Sequence, residues 1–341
     1  MIGIAVIGAG RWGPNLIHNL ETDRRSRVVV VADRDPARLR VVNEKFPHIR
    51  TTEDSLKAIE NPDVEAVVIA TPASTHFALA SAALRAGKHV LVEKPIATNL
   101  TDAGTLCELA SKTDCILLVG HVFVFNAAVR CVKDLLKKQH LGRVFYMSMQ
   151  RTNLGPIRTD VNAAWDLAAH DISIANYWLD TQPESVSAVG TGWINDGLED
   201  VVFATLRYPG NVLVNFHASW LHPKKNRDIT VVGERRMLIF DDMNMELPVR
   251  VYDKQVRGTA TLENFDGTLA AFRTMVHEGE MSIPPVEFSE PLRNECEHFL
   301  ECIESRTQPV TDAAFGLAIV RALDAVARSV RQSGRPVEIL P

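Results

Sequence analysis

Up to about residue 120, short apolar runs alternate with segments that have the period of a helix. The runs have the length of buried strands and occupy residues 4–7, 28–32, 66–70, 89–92 and 116–120. Helices are predicted between them, from Pro36, over 75–86 and from Thr101. This alternation is typical of a doubly wound parallel sheet with crossover helices.

The pattern changes from about residue 143, where β-rich runs follow one another through short turns. The predicted strands are 143–152, 185–194, 201–208, 212–219, 229–232 and 237–240. Between the third and fourth, Tyr208-Pro-Gly-Asn211 suits a type II turn. Helices are predicted over 164–179, 291–304 and 312–332. We therefore expect an α/β protein in which residues 1–121 form a Rossmann domain and residues 122–341 form an α+β domain with an open, mostly antiparallel sheet.

The first apolar run leads directly into a G-x-G-x-x-G motif at Gly8, Gly10 and Gly13. In such a motif the first glycine permits the strand-to-helix turn, the second lets the backbone approach a pyrophosphate, and the third lets the helix pack on the strand. The following helix directs its N-terminal N–H groups at the phosphates. The motif, with Arg11 and Trp12 inside it, predicts a dinucleotide site.

The second apolar run ends in Asp33, near the expected distance from the glycines for a carboxylate that binds the ribose hydroxyls. A carboxylate at this point favours NAD and repels the 2′-phosphate of NADP. The neighbouring Arg34 leaves NADP as an alternative, because a guanidinium binds phosphate.

Composition narrows the class of protein. The chain has 341 residues, 46% of them hydrophobic, and a net charge of −5, so it is long enough for two cores and has no basic block for nucleic acid. No apolar run reaches transmembrane length and the first predicted strand starts near residue 2, so we expect neither a membrane span nor a secretory leader. Five cysteines without C-x-x-C spacing suit reduced thiols and a cytoplasmic protein, and nothing in the sequence requires a metal.

Glu93-Lys94-Pro95 follows the predicted strand at 89–92, at the carboxyl end of the sheet, where such folds bind ligands. A partly desolvated lysine beside a cationic nicotinamide is expected to have a lowered pKa and to act as an acid or base. A solvated lysine at a strand end is the plainer interpretation of the tripeptide alone.

A second candidate group lies in the helix predicted over 164–179. Asp166 and His170 are four residues apart and so share one face of that helix. A carboxylate beside an imidazole orients the ring and raises its basicity, which suits a general base. An ordinary surface pair is the alternative.

Together, these motifs resemble the glucose-fructose oxidoreductase/inositol dehydrogenase (Gfo/Idh/MocA) family. The resemblance rests on the glycine motif, Thr71-Pro-Ala-Ser-Thr-His76, the Glu93-Lys94-Pro95 tripeptide and Asp166-x-x-x-His170. It implies NAD(P)-dependent oxidation or reduction of a sugar or polyol hydroxyl, with Lys94, Asp166 and His170 as the catalytic group. It also implies a homodimer or homotetramer assembled through the open sheet. Along the nicotinamide half of the cofactor it places Thr71, Pro72, His76, Glu93 and Lys94. Pro95, which fixes the turn after Lys94, completes the predicted cofactor-binding set.

The stretch from Asn153 to Ser173 looks like family members that act on nucleotide sugars, except that Ala169 replaces a usual proline. The predicted substrate is therefore a UDP-linked N-acetylhexosamine or its uronic acid, oxidised at C3. Alternatives are a free sugar or inositol and, in another class, an NAD-binding regulator without catalysis. The predicted substrate-binding residues are Lys94, Arg151, Asn153, Arg158, Trp165 and His170, with Lys224 and Lys225 as further cations.

Overall fold

The computed structural model describes residues 1–256 and 276–340. Their chain divides into two compact units, one of residues 1–126 and 289–324 and the other of residues 127–288 and 325–340. The first unit thus includes most of the C-terminal helical segment as well as the N-terminal sheet.

The first unit contains one parallel sheet with the strand order β3-β2-β1-β4-β5-β6. This is the order of a dinucleotide-binding Rossmann fold, with the glycine motif following the central strand. The strands are β1 (Ile2–Ile7), β2 (Ser26–Ala32), β3 (Arg50–Thr52), β4 (Ala66–Ile69), β5 (His89–Glu93) and β6 (Leu117–Gly120).

Five helices cross between these strands, because their apolar positions recur at helical spacing. The second, third and fifth are capped by the side chains of Asp35, Asp54 and Asn99, which accept backbone N–H groups of the first turn. Within the described residues, no side chain caps the first or the fourth. The helices are α1 (Gly13–Thr22), α2 (Pro36–Lys45), α3 (Ser55–Glu60), α4 (His76–Arg85) and α5 (Leu100–Thr113).

The second unit contains a nine-stranded sheet with the order β14-β13-β12-β11-β7-β10-β9-β8-β15. Every neighbouring pair is antiparallel except β7 and β10, so the predicted mostly antiparallel sheet is confirmed. The strands are β7 (Val144–Leu154), β8 (Ser185–Thr191), β9 (Val201–Tyr208), β10 (Val212–Ser219), β11 (Leu221–Gly233), β12 (Met237–Asp241), β13 (Val249–Val256), β14 (Val276–Ser282) and β15 (Val337–Glu338).

Two sequence predictions for this sheet have clear outcomes. Gly210 has φ 73° and ψ 17°, the left-handed conformation that the third position of a type II turn requires. The strand predicted to reach Ile194 ends at Thr191 instead. The N–H groups of Trp193 and Ile194 donate to the Asp200 carboxylate at 2.6 and 2.9 Å, so they are not available to a strand ladder.

The remaining helices are α6 (Ala127–Lys137), α7 (Ala169–Leu179), α8 (Pro291–Ser305) and α9 (Ala313–Arg331). A π-helical turn, Ala164–Ala168, precedes α7, so the helix predicted over 164–179 is α-helical only from Ala169. In the part of the chain that the structure describes, no helix is long and apolar enough to cross a membrane.

Candidate active site

The glycine motif has the shape that a dinucleotide requires. Gly8 has φ 100°, and a Cβ there would lie 2.6 Å from the Ala70 carbonyl oxygen. A Cβ on Gly13 would lie 2.1 Å from the Gly8 carbonyl oxygen, so this glycine permits the packing of α1 on β1. A Cβ on Gly10 would meet only the Arg38 Nη1, at 3.5 Å. The space beside Gly10 is therefore open, at the position where the motif brings its backbone to a pyrophosphate.

Asp33 holds this loop in place. Its carboxylate is buried and accepts the Ala9 N–H at 2.7 Å and the Asp35 N–H at 2.9 Å. Arg38 of α2 also reaches it, with Nη1 3.4 Å from Oδ2. The sequence did not predict a role for Arg38, which lies five residues after Asp33 and next to Gly10. Arg11, Trp12 and Arg34 of the predicted cofactor set are exposed.

His76 links the ends of β4 and β5. Its buried imidazole lies 2.7 Å from the Pro95 carbonyl oxygen through Nδ1 and 2.9 Å from the Thr71 carbonyl oxygen through Nε2. Thr75 Oγ1 is 2.7 Å from Thr71 Oγ1, which fixes the same turn. The residues assigned to the nicotinamide half are thus connected to one another, while Pro72 is exposed.

Lys94 follows the last residue of β5, its side chain is half-buried, and the Lys94–Pro95 peptide bond is cis. Its charge acts on two neighbours. Burial raises the pKa of Glu93 to about 7, and the Lys94 ammonium opposes that shift. Burial lowers the pKa of His121, at the end of β6, to about 3, and Lys94 lowers it further. Lys94 therefore places a positive charge beside two buried ionisable side chains, Glu93 and His121. All three lie at the carboxyl end of the sheet, where this fold binds ligands.

In the second unit, Asp166 lies in the π-helical turn and His170 in the first turn of α7. The Ala169 N–H donates to the Ala164 carbonyl, five residues back, which marks the wider turn. Such turns are frequent at functional sites. The Asp166 carboxylate accepts from Trp220 Nε1 at 3.2 Å and from Arg158 Nη1 at 3.4 Å. The sequence did not predict either of these donors.

The predicted substrate-binding cations occupy different surroundings. Arg158 lies next to two carboxylates, Asp160 at 2.6 Å and Asp166 at 3.4 Å, and these neighbours raise the pKa of its guanidinium. Arg151 is 3% exposed and forms an ion pair with Asp171 at 2.8 Å, Nε to Oδ1. Both members of this pair are buried, which favours a structural role for Arg151 over substrate binding.

The other predicted residues are half-buried or exposed. Trp165 and Asn153 are half-buried, and the Trp165 N–H donates to Asn162 Oδ1 at 3.0 Å. Lys224 and Lys225 are exposed on β11, in a stretch where the pairing register with β7 is interrupted. All five cysteines are free, and no group of three metal-ligating side chains occurs within residues 1–256 and 276–340.

Comparison with protein families agrees with this geometry. Residues 2–121 match the family described as "Oxidoreductase family, NAD-binding Rossmann fold", and residues 129–239 match the "GFO/IDH/MocA C-terminal domain". The chain therefore belongs to the Gfo/Idh/MocA family, and it is an NAD-binding oxidoreductase of the kind that acts on sugar-like substrates.

Individual relatives differ in what they act on. Myo-inositol 2-dehydrogenase of Thermotoga maritima is 26% identical over 83% of this chain and 89% of its own. UDP-N-acetylglucosamine 3-dehydrogenase of Acidithiobacillus ferrooxidans is 28% identical over 60% of this chain and 63% of its own. Another relative, 1-carboxy-3-chloro-3,4-dihydroxycyclohexa-1,5-diene dehydrogenase of Comamonas testosteroni, is 38% identical, but over only 44% of this chain and 38% of its own.

Among solved structures, a putative oxidoreductase from Magnetospirillum magnetotacticum is 28% identical, with a TM-score of 0.80, over 95% of this chain and 99% of its own.

Proposed function

We propose that this protein oxidises a secondary hydroxyl group of a sugar or polyol with NAD. The observation that carries the proposal is the position of Lys94, at the carboxyl end of β5 in a sheet whose glycine loop and Asp33 form a dinucleotide cradle. Bound NAD supplies a hydride acceptor at this edge of the sheet.

In the proposed mechanism, Lys94, Asp166 and His170 form the catalytic group. His170, or Lys94 in its neutral amine form, takes the proton of the substrate hydroxyl while a hydride leaves the carbon that bears this hydroxyl. The Lys94 ammonium, present from the start or formed by that proton transfer, stabilises the developing negative charge on oxygen, the kind of fixed electrostatic support that contributes most to catalysis. Asp166 orients His170, with Arg158 and Trp220 fixing the carboxylate in turn.

Two substrate classes follow from different observations. The residues around His170 and the similarity to UDP-N-acetylglucosamine 3-dehydrogenase support a UDP-linked N-acetylhexosamine or its uronic acid, oxidised at C3. The surroundings of Arg158 support an uncharged substrate, because its guanidinium already contacts the Asp160 and Asp166 carboxylates, which compete with a diphosphate for it. The similarity to myo-inositol 2-dehydrogenase supports the same class, a free sugar or inositol.

The test is NADH formation, followed at 340 nm, with purified protein, NAD and matched panels of UDP-sugars, free sugars and inositols. Turnover of a UDP-sugar alone supports the nucleotide-sugar proposal. Turnover of free polyols alone rejects it and keeps the catalytic assignment. If no panel member is turned over while NAD binding is confirmed by calorimetry, the proposed reaction is wrong.

We also propose that the protein is a homo-oligomer that pairs through one face of its nine-stranded sheet. In the described part of the chain, this face exposes large apolar side chains beside polar ones, and Phe203 stacks on His217 with ring centroids 4.3 Å apart. The same face contains a depression of about 470 Å³. The large apolar side chains exposed on this face are Tyr146, Val189, Phe203 and Leu213. Exposed apolar side chains in such number are typical of a surface that another subunit covers.

A further inference from the structure

Helix α8 carries a glutamate where its pattern calls for an apolar residue. The buried stripe of this helix recurs every three or four residues and consists of Leu292, Cys296, Phe299, Leu300 and Ile303. Glu295 belongs to the same stripe by its spacing, and its exposure is 0%. A buried carboxyl group at a core position costs free energy that a leucine would not. Positions that break the local pattern in this way are typical of functional residues.

The environment of Glu295 offers little to offset this cost. Among the residues that the structure describes, neither of its carboxyl oxygens has a hydrogen-bond partner. The helix is fixed near the end of β6, where Asn294 Nδ2 donates to the Phe125 carbonyl oxygen at 3.0 Å. His121, four residues before Phe125, is buried as well, and both of its ring nitrogens lack a partner among the same residues. The carboxyl end of β6 and the adjoining part of α8 thus contain polar groups that the apolar core does not satisfy.

The charges around Glu295 favour its neutral form. Burial and the Glu93 carboxylate both raise the pKa of Glu295. Burial raises the pKa of the Cys296 thiol, and nearby acidic groups raise it further, so the charges that act on this side of α8 are negative. These groups are Glu295, Glu290, which directly precedes α8, Glu93 and Asp23. The Lys94 ammonium acts on Glu93, which is directly beside it. One ammonium balances the charge of one carboxylate, so a second ionised carboxyl group in this cluster would offset it.

We propose that Glu295 is a positioning residue for Lys94: it keeps a proton at neutral pH and so adds no second negative charge beside that of Glu93. Ionisation of Glu295 places a second negative charge in this cluster and offsets the ammonium that stabilises the substrate oxygen. This inference rests on the proposed function, in which Lys94 acts on the substrate. Glu93 and Glu295 titrate as a coupled pair, and the pair loses its last proton only at high pH.

The proton itself is tested by infrared spectroscopy at pH 7. Wild type is expected to absorb in the carboxylic C=O stretching region, and Glu295→Gln, which keeps the shape but cannot ionise, is expected to absorb less there, by the contribution of one carboxyl group. Glu301→Gln, on an exposed position of the same helix, is the matched control and should retain it. Identical spectra of wild type and Glu295→Gln in this region would overturn the proposal.

Urea unfolding between pH 5 and 9 tests the same proton by its linkage to stability. The pKa of Glu295 is raised in the folded state, so wild type loses stability relative to Glu295→Gln as the pH rises above the unfolded pKa. The ratio of their unfolding constants should change by up to about tenfold per pH unit until the folded pKa is reached. A ratio that does not depend on pH contradicts the proposal. Glu295→Met, which is also unable to ionise, replaces Glu295→Gln if the amide prevents folding.

The effect on Lys94 is tested by the pH profile of kcat. The ratio of kcat for Glu295→Gln to kcat for wild type should rise as the pH increases, because only wild type acquires the second negative charge. A merely structural role gives a ratio that is constant with pH and refutes positioning. The infrared and unfolding measurements need no substrate, so they succeed or fail independently of the proposed reaction.

Discussion

Two glycines of the nucleotide loop allow the packing role of the motif to be separated from its binding role. Gly13→Ala places a Cβ 2.1 Å from the Gly8 carbonyl oxygen, well inside the closest approach of real Cβ atoms. The carbonyl oxygen belongs to the backbone and the Cβ is fixed rigidly to it, so neither can turn aside as a side chain would. Helix α1 must therefore move away from β1. We expect a loss of about 1–3 kcal/mol in the free energy of unfolding, the range for overpacking.

Gly10→Ala is the matched control, since its Cβ meets only the end of the Arg38 side chain at 3.5 Å. Its backbone does not lie in the left-handed region, so an alanine is accommodated, and the free energy of unfolding should stay within about 0.5 kcal/mol of wild type. The methyl group occupies the space assigned to the pyrophosphate, so we expect the Kd for NAD to rise at least about tenfold, or about 1.4 kcal/mol.

Urea unfolding without cofactor and calorimetric titration with NAD measure the two effects separately. The reasoning is refuted if Gly10→Ala binds NAD as tightly as wild type, because the open space beside Gly10 would then not hold the cofactor. It is also refuted if Gly13→Ala is as stable as wild type.

Three further predictions concern the second unit. Asp171→Asn leaves the Arg151 guanidinium buried without its carboxylate, and we expect a loss of about 3–5 kcal/mol by urea unfolding. Lys133→Met removes charge-assisted hydrogen bonds from Nζ to the carbonyls at the end of α7, the shortest of them 2.6 Å. We expect the free energy of unfolding to fall by about 1–3 kcal/mol, and an unchanged unfolding midpoint would contradict this. Phe203→Asp puts a charge on the exposed sheet face, so light scattering should show dissociation to monomers with an unchanged circular dichroism spectrum; an intact oligomer would reject this face as the interface.

The sequence predicts most of the parallel sheet because five of its six strands contain a continuous apolar run. Gly8, Gly13 and Asp33 could be placed because their roles depend on neighbours within one βαβ unit. The short sixth strand, β3, was missed, since Arg50–Thr52 consists of polar residues and has no apolar run. Strands β13 and β14 were missed because their charged residues interrupt the alternation.

The contacts that the sequence did not predict join distant parts of the chain. Arg151 was predicted to bind substrate, and its buried ion pair with Asp171, twenty residues away, was not anticipated. Trp220 reaches Asp166 across 54 residues, and no local pattern indicates that bond. Glu295 is different, because an acid within a helical apolar stripe is visible in the sequence and its spacing alone predicts burial.

The proposed reaction depends on Lys94 and His170 acting on a substrate beside bound NAD. Turnover is therefore followed at 340 nm for wild type, Lys94→Ala and His170→Ala on the substrate found in the panel, with the Kd for NAD measured alongside. Each variant is expected to lose at least about 10²-fold in kcat while binding NAD nearly as tightly as wild type. Near-normal turnover in both variants would contradict the proposed reaction.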